Sequence, residues 1–432
     1  MELTWTGVLL LLCVLFTLFS SFQMYKKKGQ LPPGPAPWPI LGNLFQQDVL
    51  PLYKSYKKLI GRYGPIFTIW VGSKPLVVLC GHKIIKDALI NHAEEFSGRN
   101  VVPTIERIFH NHGLATADEK IWKEMRHFML STLRNFGMGK KQMSERVQEE
   151  ALCLVEELGS MQGQPFEPKR ICTSAVSNVI CAVVFGNRFD YKDQTFVENQ
   201  KTVESLLKLC SNFTGMEQNS SMIIYTPEKL VRFVLEMFFA GTVSTSNVLV
   251  SSLLVVAKLP HIQAKVQQEI AEVVGTSHIP SMEDRLRMPF TNAVIHEVQR
   301  CWIDSLETFP RATTCDITFH GYSIPKYMAV VAVLPSVHFD PLQWETPEKF
   351  NPNHFLDEKG QFRKRDAFMA FSAGKRSCPG EALARMELFL FFSVLLQKFT
   401  FYLDVDTKDM DVISLIMDFK NNKSPPLRAI KR

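Results

Sequence analysis

Apolar residues recur every three to four positions through most of the chain, the spacing that gives a helix one buried face. The pattern predicts helices over residues 120–133, 141–161, 168–184, 195–209, 228–257, 263–274, 290–300 and 381–399. Period-two alternation is confined to short stretches. Ile66, Thr68, Trp70 and Val71, then residues 75–79, flank Gly72-Ser73 and predict a β-hairpin over residues 64–79. Two further strand-like runs, 317–324 and 329–334, predict a small sheet in the C-terminal half. The fold class read from the pattern is mainly α with a small β-sheet.

One stretch departs from amphipathic periodicity. Residues 3–22 are uncharged and largely apolar, a run of about 20 residues that is long enough to cross a bilayer. Lys26, Lys27 and Lys28 follow at once, and the positive-inside rule then leaves the rest of the chain cytosolic. A cleaved signal peptide carries its charge before the apolar run and small residues after it. Here the order is reversed, so residues 1–25 are expected to be a single transmembrane helix that stays attached. Leu31-Pro32-Pro33-Gly34-Pro35, Trp38-Pro39 and Ile40-Leu41-Gly42-Asn43 complete a basic and Pro-rich hinge over residues 26–43, too rich in proline to continue a helix.

Residues 44–432 contain no Pro/Gly/Ser-rich linker, charge block or repeat, so they are expected to form one large domain. At 46% hydrophobic residues the chain can build a big core. The 9 cysteines include no C-x-x-C pair, which argues against a zinc site and a disulfide scaffold and for a reducing compartment. A net charge of +6, dispersed along the chain, gives no support to nucleic-acid binding. Asn212-Phe213-Thr214 and Asn219-Ser220-Ser221 match the glycosylation sequon, but on the cytosolic side they would be accidental.

The chemistry concentrates in Phe371-Ser372-Ala373-Gly374-Lys375-Arg376-Ser377-Cys378-Pro379-Gly380, which runs into the last long helical stretch. A cysteine binds iron strongly only as thiolate, so its surroundings have to favour the anion. Pro379 suits the first position of the following helix, where no N–H is needed. The free N–H groups of that first turn then point back toward the sulfur. Gly374 and Gly380 carry no Cβ and let the backbone approach a flat macrocycle. Upstream, Trp122 and Arg126 lie one turn apart on one helix face and offer two donors to an anion. Glu297 and Arg300 stand at i, i+3, where opposite charges can pair.

The F-x-x-G-x-R-x-C-x-G loop resembles the haem-binding loop of the cytochrome P-450 family, with every signature position filled, and the resemblance covers nearly the whole chain. It implies the P-450 fold, haem b as cofactor, and Cys378 as the iron ligand. By the same resemblance Arg99, Trp122, Arg126, Arg311 and Arg376 would hold the propionates, with Phe371, Gly374 and Ala240 lining the cofactor. Glu297, Arg300 and His354 would form a buried polar triad beneath it. Ala240-Gly241-Thr242-Val243-Ser244-Thr245 resembles the oxygen-activation helix, with Ser244 and Thr245 as the catalytic alcohols. The implied activity is a monooxygenase inserting one oxygen atom from O2 into a small lipophilic substrate such as a xenobiotic, fatty acid or steroid. The implied location is the endoplasmic reticulum membrane, with the domain facing the cytosol. No flavin- or nicotinamide-binding fingerprint is present, so electrons from NADPH would come through a flavoprotein reductase, with cytochrome b5 as a further partner. Lys120, Lys123, Lys140, Lys141, Arg363, Lys364, Arg365 and Lys375 would form the docking face.

The chain departs from the family pattern in two places. Val243 stands where an acid is expected and Ser244 where threonine is expected, and valine can neither relay a proton nor order water. The interval between Trp122 and Cys378 is also shorter, by about 60 residues, than in animal microsomal family 2 members, well beyond loop-length drift. The shortage falls before the oxygen-activation helix, so part of the substrate-pocket roof is expected to be missing at about residues 210–226, as in an exon-skipped isoform. The alternative implied is a truncated isoform, impaired or inactive in catalysis, that acts only as a membrane-tethered haem-binding or interaction protein. A haem-thiolate isomerase, which needs no proton delivery, is a third reading that only Val243 favours.

Overall fold

The computed structural model describes residues 31–100, 113–117, 119–138, 140–198, 200, 227–302, 310–405, 410–421 and 423–432, with isolated positions near the N-terminus. Apart from those positions the expected anchor lies outside the described residues, as do hinge residues 26–30, most of the helix expected over 195–209, both sequons and the segment 210–226.

Helix α1 (Leu52–Tyr63) leads into the predicted hairpin, β1 (Ile66–Val71) and β2 (Lys74–Leu79), closed by Gly72 at φ 61°. A short helix α2 (His82–Lys86) continues into a π-turn over Asp87–Asn91, and β3 (Gly98–Arg99) follows. The helical body comprises α3 (Glu119–Asn135), α4 (Lys141–Ser160), α5 (Pro168–Val184), α6 (Pro227–Lys258), α7 (Pro260–Val273) and α8 (Pro289–Cys301). Then come β4 (Arg311–Ala312), β5 (Ile317–Phe319), β6 (Tyr322–Ile324), β7 (Ala329–Ala332) and α9 (Pro335–His338). The chain closes with α10 (Glu381–Lys398), β8 (Phe399–Leu403), α11 (Val412–Lys420) and β9 (Leu427–Lys431).

Proline opens α5, α6, α7, α8 and α9, where its missing N–H has no helical partner to lose. The run expected as one strand over 317–324 is a two-stranded hairpin, β5 and β6, separate from the main sheet. The predicted hairpin is not separate: β2 pairs in parallel with β7, giving a five-stranded sheet in the order β1-β2-β7-β4-β3. Pairing across more than 200 residues leaves no local signature, so the sequence showed the strands and not their union.

Helix α10 is the axis of the helical body. Its residues from Met386 to Gln397 are buried, packed against α4, α6 and α7. A helix buried all round loses the one-sided periodicity of a surface helix. The helix ends at Lys398, and Phe399 already begins β8. Among the described residues Val234–Lys258 is the one helical stretch long and apolar enough to cross a bilayer, but it is largely buried against α5 and α10 as a core helix.

Candidate functional site

Below α10 the Glu297–Arg300 pair is fully buried. Arg300 Nε and Nη2 each donate to Glu297 at 2.8 Å, while Nη1 donates to the carbonyls of His338 at 2.6 Å and Pro347 at 2.9 Å. His354 Nδ1 lies 3.2 Å from both Glu297 oxygens, and the Asn351 N–H donates to one of them at 2.8 Å. The expected triad is therefore formed, with its charges paired and its remaining donors taken up by backbone.

The cysteine loop folds on itself. The Cys378 N–H donates to Phe371 O at 2.9 Å and the Ser377 N–H to Gly374 O at 3.0 Å. Helix α10 starts at Glu381 with Gly380 as its N-cap, so Pro379 precedes the cap instead of opening the helix. Even so, the Gly380 and Glu381 N–H groups reach the sulfur and lower the thiol pKa, as does Arg126. Desolvation is larger and leaves the thiol above its ordinary value. Cys378 is nevertheless exposed to solvent.

Gly374 is required for a reason the sequence did not reveal. At φ 69° its missing Cβ would fall 1.7 Å from the carbonyl oxygen of Leu89, in the π-turn. Gly380 has an ordinary negative φ, and a Cβ there would meet the Cys378 sulfur at 3.9 Å, a normal contact.

Three expected residues converge on this loop from α3 and from the loop itself. Arg126 Nη1 donates to Ser377 O at 2.8 Å, and the guanidinium groups of Arg126 and Arg376 lie 5.8 Å and 4.2 Å from the buried Trp122 ring. Arg376 Nε donates to Ser97 O at 2.8 Å and Nη2 to Ala117 O at 3.0 Å, bracing the loop against β3 and the segment before α3. Phe371 lies under the Arg385 guanidinium, 5.1 Å from it.

Arg99 and Arg311 are direct cross-strand partners in the β3–β4 pair. Like charges facing each other cost stability unless something opposes them. Desolvation pushes Arg311 down to about 9, and the charge of Arg99 adds to the shift. Arg99 is pushed down to about 10 by desolvation, against the opposing pull of Glu236. Arg311 Nη2 donates to Ala373 O at 2.9 Å, while its buried Nη1 has no hydrogen-bond partner among the described residues. Two desolvated cations side by side beside the cysteine loop suit an anionic group.

On α6, Ala240 and Ser244 are exposed one turn apart, and the Ser244 hydroxyl donates to Ala240 O at 2.6 Å. Gly241 packs where a Cβ would lie 2.7 Å from Ile180 Cδ1, and Val243 is packed against the main core. Thr245 is buried and hydrogen-bonded to Glu387 of α10, so it faces the core and not the side on which Ser244 lies. Glu387 is wholly buried, and desolvation raises its pKa well above the ordinary carboxylate value, against the lowering effect of the Thr245 hydroxyl.

The sequence reading missed Glu236. Its carboxylate accepts the N–H groups of Leu114 and Ala115, fastening α6 to the loop that Arg376 also grips. A Cβ at Gly113 would lie 2.5 Å from Glu236 Oε2, so a larger residue there would have to displace the carboxylate. A lone glutamate on a predicted helix reads as solvated, and only the loop's approach makes it a clamp. Several of the basic residues expected on the docking face have carboxylate partners within the chain: Lys375 with Glu94, Arg363 and Arg365 with Glu345, and Lys141 with Glu145.

This fold and this loop define a cysteine-centred cofactor protein, and comparison with known proteins names the class. The Cytochrome P450 family model matches residues 32–232 and 216–424. Cytochrome P450 2C5 of Oryctolagus cuniculus is 42% identical over 470 residues, covering 95% of this chain and 96% of the relative. Cytochrome P450 2C20 of Macaca fascicularis (94% and 95% covered) and 2C38 of Mus musculus (92% and 94%) are also 42% identical. The chain belongs to the cytochrome P450 family, and its relatives make it a family 2 type. The two matched stretches meet over residues 216–232, which overlaps the segment at about 210–226 where the shortage was expected.

Proposed function

We propose that this protein is a membrane-anchored haem-thiolate monooxygenase acting on small lipophilic substrates. The observation that carries the reading is the Arg99–Arg311 pair beside the Cys378 loop, two desolvated cations with one Arg311 nitrogen unpartnered among the described residues. Such a pair fits the two carboxylates of a haem, and the Gly380 and Glu381 N–H groups fit an anionic sulfur. The residues present therefore suit haem b. Cys378 would ligate the iron, and Arg99, Arg311, Trp122, Arg126 and Arg376 would hold and shield the propionate side, with Phe371, Gly374 and Ala240 lining the ring. When bound, haem iron would supply dioxygen activation and oxygen-atom transfer. Ser244, exposed on the same face of α6 as Ala240, is the hydroxyl that would carry a proton there. Thr245 would act through Glu387 to hold α6 against α10. Val243 supplies neither a proton nor an ordered water.

In the same reading residues 1–25 anchor the protein in the endoplasmic reticulum membrane, residues 26–43 are the hinge and residues 44–432 face the cytosol. A flavoprotein reductase, with cytochrome b5, brings electrons from NADPH to the basic face. The test is a carbon-monoxide difference spectrum of the reduced, membrane-bound protein, followed by NADPH turnover with added reductase. A thiolate-shifted Soret band with product formation is expected. A band without product would instead identify a tethered haem-binding protein, the reading to which Val243 and the short segment lead. If Val243 limits proton supply, Val243→Glu should lower the share of NADPH lost as peroxide. An unchanged share in a variant that holds haem normally would mean that protons arrive by another route.

A further inference from the structure

One buried histidine stands outside the triad. His296, on α8, is 4% exposed and lies among three phenylalanine rings, its centroid 5.4 Å from Phe355, 4.6 Å from Phe362 and 5.0 Å from Phe368. A phenylalanine would suit such surroundings without burying two ring nitrogens, each of which costs free energy unless it is hydrogen-bonded. Both nitrogens are engaged. Nδ1 lies 2.7 Å from Asn292 O, an atom that can only accept, so the ring proton is on Nδ1. Nε2 then carries a lone pair, and the Arg385 guanidinium, which can only donate, aims Nη1 at it from 2.5 Å. Desolvation, with the charges of Arg385 and Arg285 nearby, pushes the imidazole down to about 3, so the ring stays a neutral acceptor.

Arg385, on the second turn of α10, is thereby held across both ends of the cysteine loop. Its Nε and Nη2 donate to the Glu381 carboxylate at 2.9 Å and 2.8 Å, and its guanidinium lies over the Phe371 ring. Phe371 O accepts the Cys378 N–H, and the Glu381 N–H reaches the sulfur. The Glu381 carboxylate itself works against an anionic sulfur, and a guanidinium fixed on that carboxylate offsets the effect. A half-exposed i, i+4 pair holds its cation loosely and contributes little by itself. The buried acceptor on α8 is what fixes this one. Charges and hydrogen bonds just beyond a metal's ligand hold that ligand in place and tune the reduction potential.

We propose that His296 is a positioning residue for the thiolate site: its Nε2 pins Arg385 across the Cys378 loop, and the positive charge held there makes the haem easier to reduce. This rests on the haem-thiolate reading above. A fixed positive charge favours the reduced haem, which carries one more electron.

The test is the midpoint potential of the membrane-bound holoprotein, titrated with dithionite and redox dyes so that no reductase takes part. His296→Phe keeps the aromatic packing and removes the acceptor. The midpoint should become more negative, by about tenfold in the ratio of reduced to oxidised haem at a fixed potential. Arg385→Met should shift it in the same direction by at least as much. His296→Gln puts a side-chain oxygen near the place of Nε2 and should stay close to the parent. In the Arg385→Met background His296→Phe should add nothing, a result that a merely structural histidine would not give. A parental potential in His296→Phe, or an equal shift with and without Arg385, would overturn the proposal. Should His296→Phe not retain haem, the other two variants decide: a parental potential in Arg385→Met, or a lowered one in His296→Gln, overturns it. A parent that lacks the thiolate-shifted band would overturn the haem-thiolate reading and this proposal with it. A parent that shows the band, with variants that do not move, would overturn the proposal alone.

Discussion

Two arginine sites in this protein are buried in opposite ways. Arg300 has a carboxylate on one side and backbone carbonyls on the other, and its pKa stays above the ordinary value despite desolvation. Arg311 faces another arginine across a strand pair, keeps one nitrogen without a hydrogen-bond partner among the described residues, and its pKa falls to about 9. The first arrangement is complete within the protein and belongs to its architecture. The second leaves a like charge opposite Arg311, and on the proposed reading that is where an anionic cofactor would be held. Burial alone does not separate a structural charge from a functional one; the compensation around it does.

Breaking the compensated site should have the largest effect. Glu297→Gln leaves Arg300 charged and buried without its carboxylate, a loss of about 3–5 kcal/mol. A typical domain has about 5–15 kcal/mol in all. The variant is expected to accumulate poorly and to melt far below the parent, read by thermal unfolding and protease resistance; a parental melting temperature would show that the triad is dispensable.

Cys378→Ser should erase the thiolate-type carbon-monoxide spectrum while leaving protease resistance close to the parent's, because the residue is exposed and a serine oxygen can accept the same Gly380 and Glu381 N–H groups. Cys153→Ser should keep the spectrum. A thiolate band surviving in the Cys378 variant would move the ligand elsewhere.

The Arg311 site should respond in the reverse sense to the triad. Arg311→Leu removes a desolvated charge opposite Arg99, so the haem-free protein should be no less stable than the parent. Haem should nevertheless dissociate faster, measured by transfer to an excess of a haem-scavenging apoprotein. Loss of stability together with unchanged haem retention would refute the contrast.

A smaller effect is expected at Glu236, whose pKa is raised to about 7, chiefly by desolvation. A carboxyl with a raised pKa makes the folded state the better proton binder. Its burial therefore costs little below the unfolded value of 4.5, costs progressively more as the pH rises to about 7, and levels off above that. Glu236→Gln should flatten the fall in melting temperature across this window relative to the parent. An identical slope in both proteins would mean that the carboxyl titrates normally.

The local sequence settled a good deal of this protein. The seven long helices whose positions were predicted and described appear within a few residues of the expected bounds, because apolar periodicity and proline starts act within a few turns. The cysteine loop and the E-x-x-R pair were equally legible, since their residues lie close together in the chain. Tertiary structure decided what distant segments do to one another. It joined β2 to β7, set Arg99 opposite Arg311, turned Thr245 toward Glu387, and made Glu236 the clamp on Leu114 and Ala115. It also assigned Gly374 to the Leu89 carbonyl. Each of these depends on a desolvated contact between segments far apart in sequence, and the free energy of such a contact is fixed by its surroundings rather than by the residue type.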